Sequence, residues 1–74
     1  MSYDYSKLIG RIIEKFKTRR AFAEALGISE KSLSAKLSNK LPFKQREIKL
    51  ASNLLKIEDN EVGAYFFKLC AQRN

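Results

Sequence analysis

The sequence predicts an all-α domain of five helices, on the basis of its composition, its apolar spacing and its turn residues. Leu, Lys, Ala, Glu and Ile are abundant whereas Val and Thr are scarce, and this bias favours helices over strands. Apolar residues recur at intervals of three and four, as they do on one face of a helix. With 74 residues, the chain is expected to form one small domain over 1–74.

The first helix is predicted over residues 4–17. Asp4 is a suitable N-cap, because its carboxylate can accept hydrogen bonds from the first turn. Basic residues near the predicted end suit the negative end of the helix dipole. The predicted inner face consists of Tyr5, Leu8, Ile9, Ile12, Ile13 and Phe16.

The next two helices are predicted over 19–26 and 30–38, with Thr18 and Ser29 as their N-caps. Gly27 is expected to end the first of them, because the chain must turn sharply through a conformation that favours glycine. Two short helices hinged at a glycine are typical of a helix-turn-helix, which places its second helix in the major groove of DNA. The alternative is an ordinary helical core with a solvated basic face. The predicted inner positions are Phe22, Ala23, Leu26, Ile28, Leu33 and Leu37.

The helix-turn-helix is predicted to occupy residues 18–39, with Asn39 as a left-handed residue that ends the second helix. Pro42 lies in the connection that follows and disfavours a helical conformation of the residue before it. Two further helices are predicted over 44–56 and 60–71. The inner face of the fourth helix is predicted to be Ile48, Ala51, Leu54 and Leu55.

Three consecutive aromatic residues in the fifth helix, Tyr65, Phe66 and Phe67, cannot all face one core, since neighbouring residues lie about 100° apart around a helix. We expect Phe66, together with Val62 and Leu69, to dock on the first helix. That arrangement leaves Tyr65 or Phe67 free to contact another protein chain.

The basic charge is concentrated around the predicted helix-turn-helix. The net charge is +7, and residues 15–49 contain ten Lys or Arg against three Glu. A basic surface binds nucleic-acid phosphates by releasing counterions, so this location favours DNA binding. Lys7, Arg11, Lys49 and Lys56 are expected to be solvated. The predicted phosphate contacts are Arg19, Arg20, Lys36, Lys40 and Lys44, with neutral contacts from Ser29 and Ser34.

Catalysis is not expected. The chain has no His and a single Cys, and no nucleophile–base spacing or metal-ligand cluster stands out. We therefore expect no enzymatic activity, no cofactor and no metal. One Cys is compatible with a reducing cytoplasm, and no apolar run has the length of a membrane span.

Residues 18–39 resemble the Cro and repressor family of phage helix-turn-helix proteins, whose usual opening is Thr-Gln-x-x-Leu-Ala-x-x-Leu-Gly-Ile-Ser. The resemblance extends to Tyr-Asp-Tyr-Ser-Lys-Leu at 3–8, Ser-Ala-Lys-Leu-Ser-Asn-Lys at 34–40 and Ala-Tyr-Phe-Phe at 64–67. These segments are similar to the small Cro-like modulator-of-repression proteins, or antirepressors, of temperate phages of Gram-positive bacteria. The resemblance implies a lambda-repressor-like fold.

By position, the resemblance implies that Glu30, Lys31 and Ala35, with Ser32 adjacent, read DNA bases. Lys31 could donate to guanine, Glu30 could accept from cytosine, and Ala35 could touch a thymine methyl group. Two residues depart from the family pattern. Arg19 replaces the usual Gln, where it could bind phosphate or pair with Glu30, and Lys36 stands where most members have an apolar residue.

These observations predict a sequence-specific regulator of a phage or prophage lysogeny–lysis switch that binds double-stranded operator DNA. Because one small module usually binds weakly, either a homodimer on DNA or a second protein is expected. The expected location is the cytoplasm of the bacterial host, in association with the nucleoid. The alternative is an antirepressor that acts mainly by binding a partner phage repressor through protein–protein contacts.

Overall fold

The computed structural model describes residues 2–70 and confirms the all-α, five-helix fold. In this part of the chain, extended pairing is limited to one antiparallel bridge between Tyr3 and Leu69. None of the described helices is both long and apolar enough to cross a membrane. The helices are α1 (Ser6–Phe16), α2 (Arg19–Leu26), α3 (Glu30–Leu37), α4 (Gln45–Leu54), a 3-10 turn (Asp59–Glu61) and α5 (Val62–Phe66).

Helix α1 begins two residues later than predicted, and Asp4 lies just outside it. The Asp4 Oδ1 atom accepts hydrogen bonds from the Ser6 hydroxyl at 2.7 Å and from the Ser6 backbone N–H at 2.9 Å. These hydrogen bonds lower the pKa of the Asp4 carboxyl. Leu8 and Ile12 are fully buried as predicted, whereas Ile13 is exposed, so the inner face of α1 is narrower than its apolar spacing indicates.

A single apolar core draws side chains from all five α-helices. Phe43, in the segment before α4, packs edge-on against Tyr5 at 5.4 Å and against Phe66 at 5.3 Å between ring centroids. A third edge-on pair, Phe16 and Phe22 at 5.3 Å, joins α1 to α2. Such pairs contribute about 0.5–1.5 kcal/mol each beyond the apolar area they bury. The largest fully buried side chains are Phe22, Phe66, Leu8, Ile12, Leu33 and Leu55.

Arg11 fixes the end of α4 against α1, although the sequence predicts that it is solvated. Its Nε atom donates to the Leu55 carbonyl at 2.8 Å, and an Nη atom donates to the Lys56 carbonyl at 3.1 Å. The last carbonyl groups of a helix have no partner within the helix, so this guanidinium satisfies two acceptors there. Arg11 therefore belongs to the scaffold.

Helix α5 is much shorter than the predicted 60–71, because the chain pairs with the N-terminal segment after Phe66. The backbone N–H of Asp4 donates to the Lys68 carbonyl at 2.7 Å, and the N–H of Cys70 donates to the Ser2 carbonyl at 3.0 Å. The prediction that Leu69 docks on α1 is wrong, since Leu69 is exposed. Phe66 is fully buried as predicted, and the end of the predicted helix at 71 lies outside the described residues.

Candidate nucleic-acid interface

Helices α2 and α3 are joined by a three-residue turn, 27–29, whose local signals match those predicted. The Thr18 hydroxyl accepts a hydrogen bond from the Ala21 N–H at 3.1 Å and caps α2. Gly27 adopts a left-handed conformation, with φ of 82° and ψ of 26°, and ends α2. The Ser29 hydroxyl accepts from the Ser32 N–H at 3.0 Å and caps α3. The two ends of the turn are therefore both fixed by hydrogen bonds.

Helix α3 has one buried face and one exposed face. Leu33 is fully buried and Leu37 nearly so, which anchors the back of the helix to the core. Asn39 follows α3 with a positive φ of 67°, as predicted, so the chain turns away directly after the helix. Lys31 lies on the opposite face, and Glu30 and Ser34 are also exposed, which leaves all three side chains accessible to a ligand.

The four predicted base-reading residues lie in the first turn and a half of α3. Glu30 and Lys31 are exposed, whereas Ser32 and Ala35 are half-buried. Lys31 and Ala35 are four residues apart and share one face of the helix. The Ser32 hydroxyl accepts a hydrogen bond from the Ser29 hydroxyl at 3.0 Å, so its own proton remains available for another acceptor.

Six of the seven predicted phosphate contacts are accessible at the flanks of α3. Arg20, Ser29, Ser34, Lys40 and Lys44 are exposed, and Arg19 is half-buried. Among residues 2–70, the ion pairs formed are Arg11–Glu14, Lys36–Glu47 and Asp4–Lys68, so of the two alternatives for Arg19 the pair with Glu30 is not formed. The Arg19 guanidinium is accordingly available for an external anion.

Lys36 is the seventh residue, and its predicted role as a phosphate contact is wrong. It is only 6% exposed, and its ammonium lies 2.8 Å from a carboxylate oxygen of Glu47 on α4. The same ammonium donates to the Pro42 carbonyl at 3.1 Å. Lys36 lies three residues after the buried Leu33, and this spacing on the inner face was the sequence signal for its burial.

The Lys36–Glu47 pair ties α3 to the start of α4. Burial disfavours the charged form of Glu47, but hydrogen bonds from Lys36 and from the Lys44 N–H, together with both lysine charges, outweigh it and lower the pKa of that carboxyl. The Lys44 N–H donates to Glu47 Oε1 at 2.8 Å. The carboxylate thus links α3 to the N-terminus of α4.

Arg46 is a basic residue of this surface that the sequence analysis did not single out. It is exposed and lies with Lys44 along a cleft of about 320 Å³ between α3 and the start of α4, which Ser32 also lines. The signal was the Lys-Gln-Arg run at 44–46, at the predicted start of a helix. In residues 2–70, no three His, Cys, Asp or Glu side chains are grouped so that they could hold a metal ion.

The two residues predicted to form a protein interface have different environments. Tyr65 is only 7% exposed, with the Lys7 ammonium 4.8 Å from its ring centroid, so of the two alternatives it is not the accessible residue. Lys7 in turn is held by this cation–π contact rather than merely solvated. Phe67 is 50% exposed and packs edge-on against Tyr3 at 5.9 Å between centroids. Phe67 alone of the pair is accessible to a partner.

Comparisons with known proteins connect this arrangement to phage regulators. The family model described as Protein of unknown function (DUF739) matches residues 1–69. Among solved structures, the chain is similar to the solution structure of the modulator of repression (MOR) of the temperate bacteriophage TP901-1 from Lactococcus lactis. The identity is 45%, the TM-score is 0.78, and the match covers 90% of each chain. No curated protein matches the chain significantly.

Proposed function

The chain belongs to the DUF739 family of proteins of unknown function, and we propose that it is a sequence-specific regulator of transcription that binds double-stranded operator DNA. In this proposal, α2, the turn and α3 act as a helix-turn-helix, and α3 enters the major groove. The observation that carries the proposal is that α3 is anchored to the core by Leu33 and Leu37, while Lys31 on its opposite face and Glu30 in its first turn are exposed.

The charges around α3 support the same assignment. Arg20 lies at the start of α2, Lys40, Lys44 and Arg46 follow α3 in the chain, and all four are exposed. Phosphate contacts supply most of the affinity of such a protein and set its orientation, while contacts to base edges supply the specificity. Lys31, at the second position of α3, is the residue best placed to donate to guanine.

The biological setting that we propose is the lysogeny–lysis switch of a phage or prophage. It is supported by the similarity, at 45% identity over 90% of the chain, to a modulator of repression of a temperate phage. A binding protein that acts in the host cytoplasm and nucleoid, not an enzyme, fits this setting. Because one small module usually binds DNA weakly, we expect two copies on the operator.

Selection of duplexes from a random-sequence library by the chain, followed by affinity measurement, tests the proposal. An enriched duplex should bind more tightly than a scrambled duplex of the same length. Lys31→Ala should weaken binding to the enriched duplex by roughly 1–3 kcal/mol more than to the scrambled one. The matched control is Lys49→Ala, which removes one exposed charge from α4. Failure to enrich any sequence, or equal losses on both duplexes, would refute base reading by α3.

A second candidate function is that of an antirepressor that binds a phage repressor protein. It is favoured by Phe67, which is half-exposed beside Tyr3 and lies outside the proposed DNA-binding surface of α3. The description of the similar protein as a modulator of repression also favours it. A gel-shift titration of the operator region, with and without the repressor, separates the two. Shifting by this chain alone supports direct DNA binding, whereas an effect seen only with repressor supports the second candidate.

A further inference from the structure

A concave surface lies beside the end of α3 and has a volume of about 350 Å³. Two large apolar side chains on it are accessible, Leu41 at 47% and Phe67 at 50% of their full exposure. Apolar side chains that gather around one concavity mark an interaction site, because soluble chains usually expose them singly. We call this surface the aromatic groove, which is lined chiefly by Tyr3, Tyr5, Leu41, Phe43, Phe66 and Phe67.

The walls of the aromatic groove are already fixed in the free chain. Phe67 packs edge-on against Tyr3, with an angle of 84° between the ring planes. The backbone of Tyr3 is held by the Asn39 side chain, which accepts its N–H at 2.9 Å and donates to its carbonyl at 3.0 Å. Phe43 is held between two further rings of the core. A site formed in advance loses little conformational entropy when a ligand binds.

The charge around the groove is positive. Among its lining residues, all of which lie in the described part of the chain, Lys40 is the only one with a charge. Lys68 follows the lining residue Phe67 in the chain and pairs at 3.8 Å with Asp4, which follows the lining residue Tyr3, so this pair adds no net charge at the groove. An apolar groove with a lysine in its wall favours an apolar ligand that carries negative charge.

We propose that the aromatic groove binds a protein segment in which a large apolar side chain is flanked by carboxylates. The apolar side chain would lie between Leu41 and Phe67, and the carboxylates would lie near Lys40. A second copy of this chain fits less well, because each copy carries a net charge of +7 and like charges repel. Single-stranded nucleic acid also fits less well, since its repeated phosphates call for a line of cations along the groove.

The binding itself does not depend on α3, and only its biological meaning rests on the proposed regulatory function. It would give the second candidate function a docking site. Lys40 is common to the two surfaces, as a predicted phosphate contact and as a residue that lines the groove. A carboxylate at Lys40 and a DNA phosphate at Lys40 exclude one another, so the partner segment would oppose DNA binding.

Titration of the ¹⁵N-labelled full chain with three synthetic helical peptides tests the inference. The first peptide presents one Leu flanked by Glu, the second replaces each Glu by Lys, and the third replaces the Leu by Ala. The first should shift the amide signals of Lys40, Leu41 and Phe67 saturably, and the other two should bind about tenfold more weakly. Absence of saturable shifts at the groove with the first peptide, or equal binding of all three, would overturn the proposal.

Variants of exposed residues supply the controls. Phe67→Ser and Leu41→Ser should each weaken the first peptide about tenfold, whereas Leu50→Ser, an exposed leucine of α4 outside the groove, should leave it unchanged. Two separate groove variants guard against one that fails to fold. An equal loss in the Leu50 variant, self-association that Phe67→Ser abolishes, or tighter groove binding by a single-stranded oligonucleotide would each overturn the proposal.

The same chains separate this inference from DNA binding. The Lys31→Ala chain should still bind the first peptide with the affinity of the parent chain, and the Phe67→Ser chain should still bind the enriched duplex with the affinity of the parent chain. Loss of peptide binding with duplex binding intact therefore counts against the groove alone, and the reverse result counts against α3 alone.

Discussion

Replacement of Lys36 by methionine should destabilise the fold strongly, because it leaves a buried carboxylate without its cation. Methionine fills much of the space of the lysine stem but cannot donate to Glu47 or to the Pro42 carbonyl. Lys36 is 6% exposed and Glu47 3% exposed, so water cannot replace the lost ammonium without opening the structure. The substitution therefore removes one positive charge while it keeps much of the side-chain volume.

The expected loss follows from the burial and the remaining contacts. Removal of one partner from a buried ion pair typically costs about 3–5 kcal/mol. We expect about 3 kcal/mol here, at the lower end, because Glu47 keeps the hydrogen bond from the Lys44 N–H. A 74-residue domain has a total stability of roughly 4–11 kcal/mol, so this loss is a large part of it.

Urea unfolding followed by circular dichroism measures the effect, with Lys49→Met as the control for loss of an exposed lysine from α4. The control should change the free energy of unfolding by less than about 0.5 kcal/mol. The double variant Lys36→Met, Glu47→Leu should recover part of the loss, since a buried ion pair can be replaced by apolar groups. A Lys36→Met chain within about 1 kcal/mol of the parent would refute the assignment of a buried ion pair.

The pH dependence of the same variant has a definite sign. In the parent chain the pKa of Glu47 is lowered on folding, so its stabilisation is present above the unfolded pKa and is lost as the pH falls through the folded pKa. Without Lys36, burial should instead raise that pKa, so protonation relieves the penalty. The difference between parent and variant should shrink from pH 7 to about pH 4. A difference that grows on acidification would contradict this explanation.

Three further predictions concern other contacts. Asn39→Ala should lower the free energy of unfolding by about 1–2 kcal/mol, because alanine tolerates the left-handed conformation poorly and cannot hydrogen-bond the Tyr3 backbone. Thermal melts of this variant and of Asn39→Gly separate the two effects. An unchanged melting midpoint in both variants would contradict them. Thr18→Ala should cost about 1 kcal/mol through loss of the cap on Ala21, measured by urea unfolding, whereas Thr18→Ser should cost little; equal losses would exclude the hydroxyl as the cause. Lys44→Ala should reduce the salt dependence of duplex binding, measured by fluorescence anisotropy, by about one in the slope of log K against log salt, and an unchanged slope would remove Lys44 from the phosphate contacts.

The segment around the turn was predictable because its determinants are local. The predicted α2 coincides with the observed Arg19–Leu26, and the predicted α3 is one residue too long. Thr18, Gly27 and Ser29 act within three residues of their own positions, through hydrogen bonds or a backbone conformation that each residue type favours. Such signals do not depend on how the rest of the chain folds.

The errors arise where long-range contacts decide the outcome. Lys36 carries a charge typical of an exposed residue, and only the placement of Glu47 eleven residues later makes its burial favourable. Helix α5 ends early because backbone groups at 68–70 bond to the N-terminal segment, which no local pattern indicates. Tyr65 was one of two aromatic residues that helical geometry left open, and the contact with Lys7 on α1 resolves the choice.

The candidate site combines both kinds of information. The exposure of Lys31 follows from its position opposite Leu33 and was predictable from helical spacing. Glu30 lies three residues before Leu33 and seven before Leu37, so spacing alone would place it on the inner side, yet it is exposed at the first position of α3. The position of Arg46 along the cleft beside α3 depends on how α3 and the start of α4 pack, and the Lys36–Glu47 pair joins these two segments. Residue types could therefore predict candidate DNA contacts, whereas packing determines which cations lie on the same surface.

Amide chemical-shift mapping of the ¹⁵N-labelled chain with an enriched duplex tests the central claim most directly. If α3 lies in the major groove, the largest shifts should fall on 30–35, with smaller shifts at Arg20 and Lys44 and none on the exposed face of α1. Shifts confined to the aromatic groove, or an α3 whose signals do not move while the duplex binds, would contradict it.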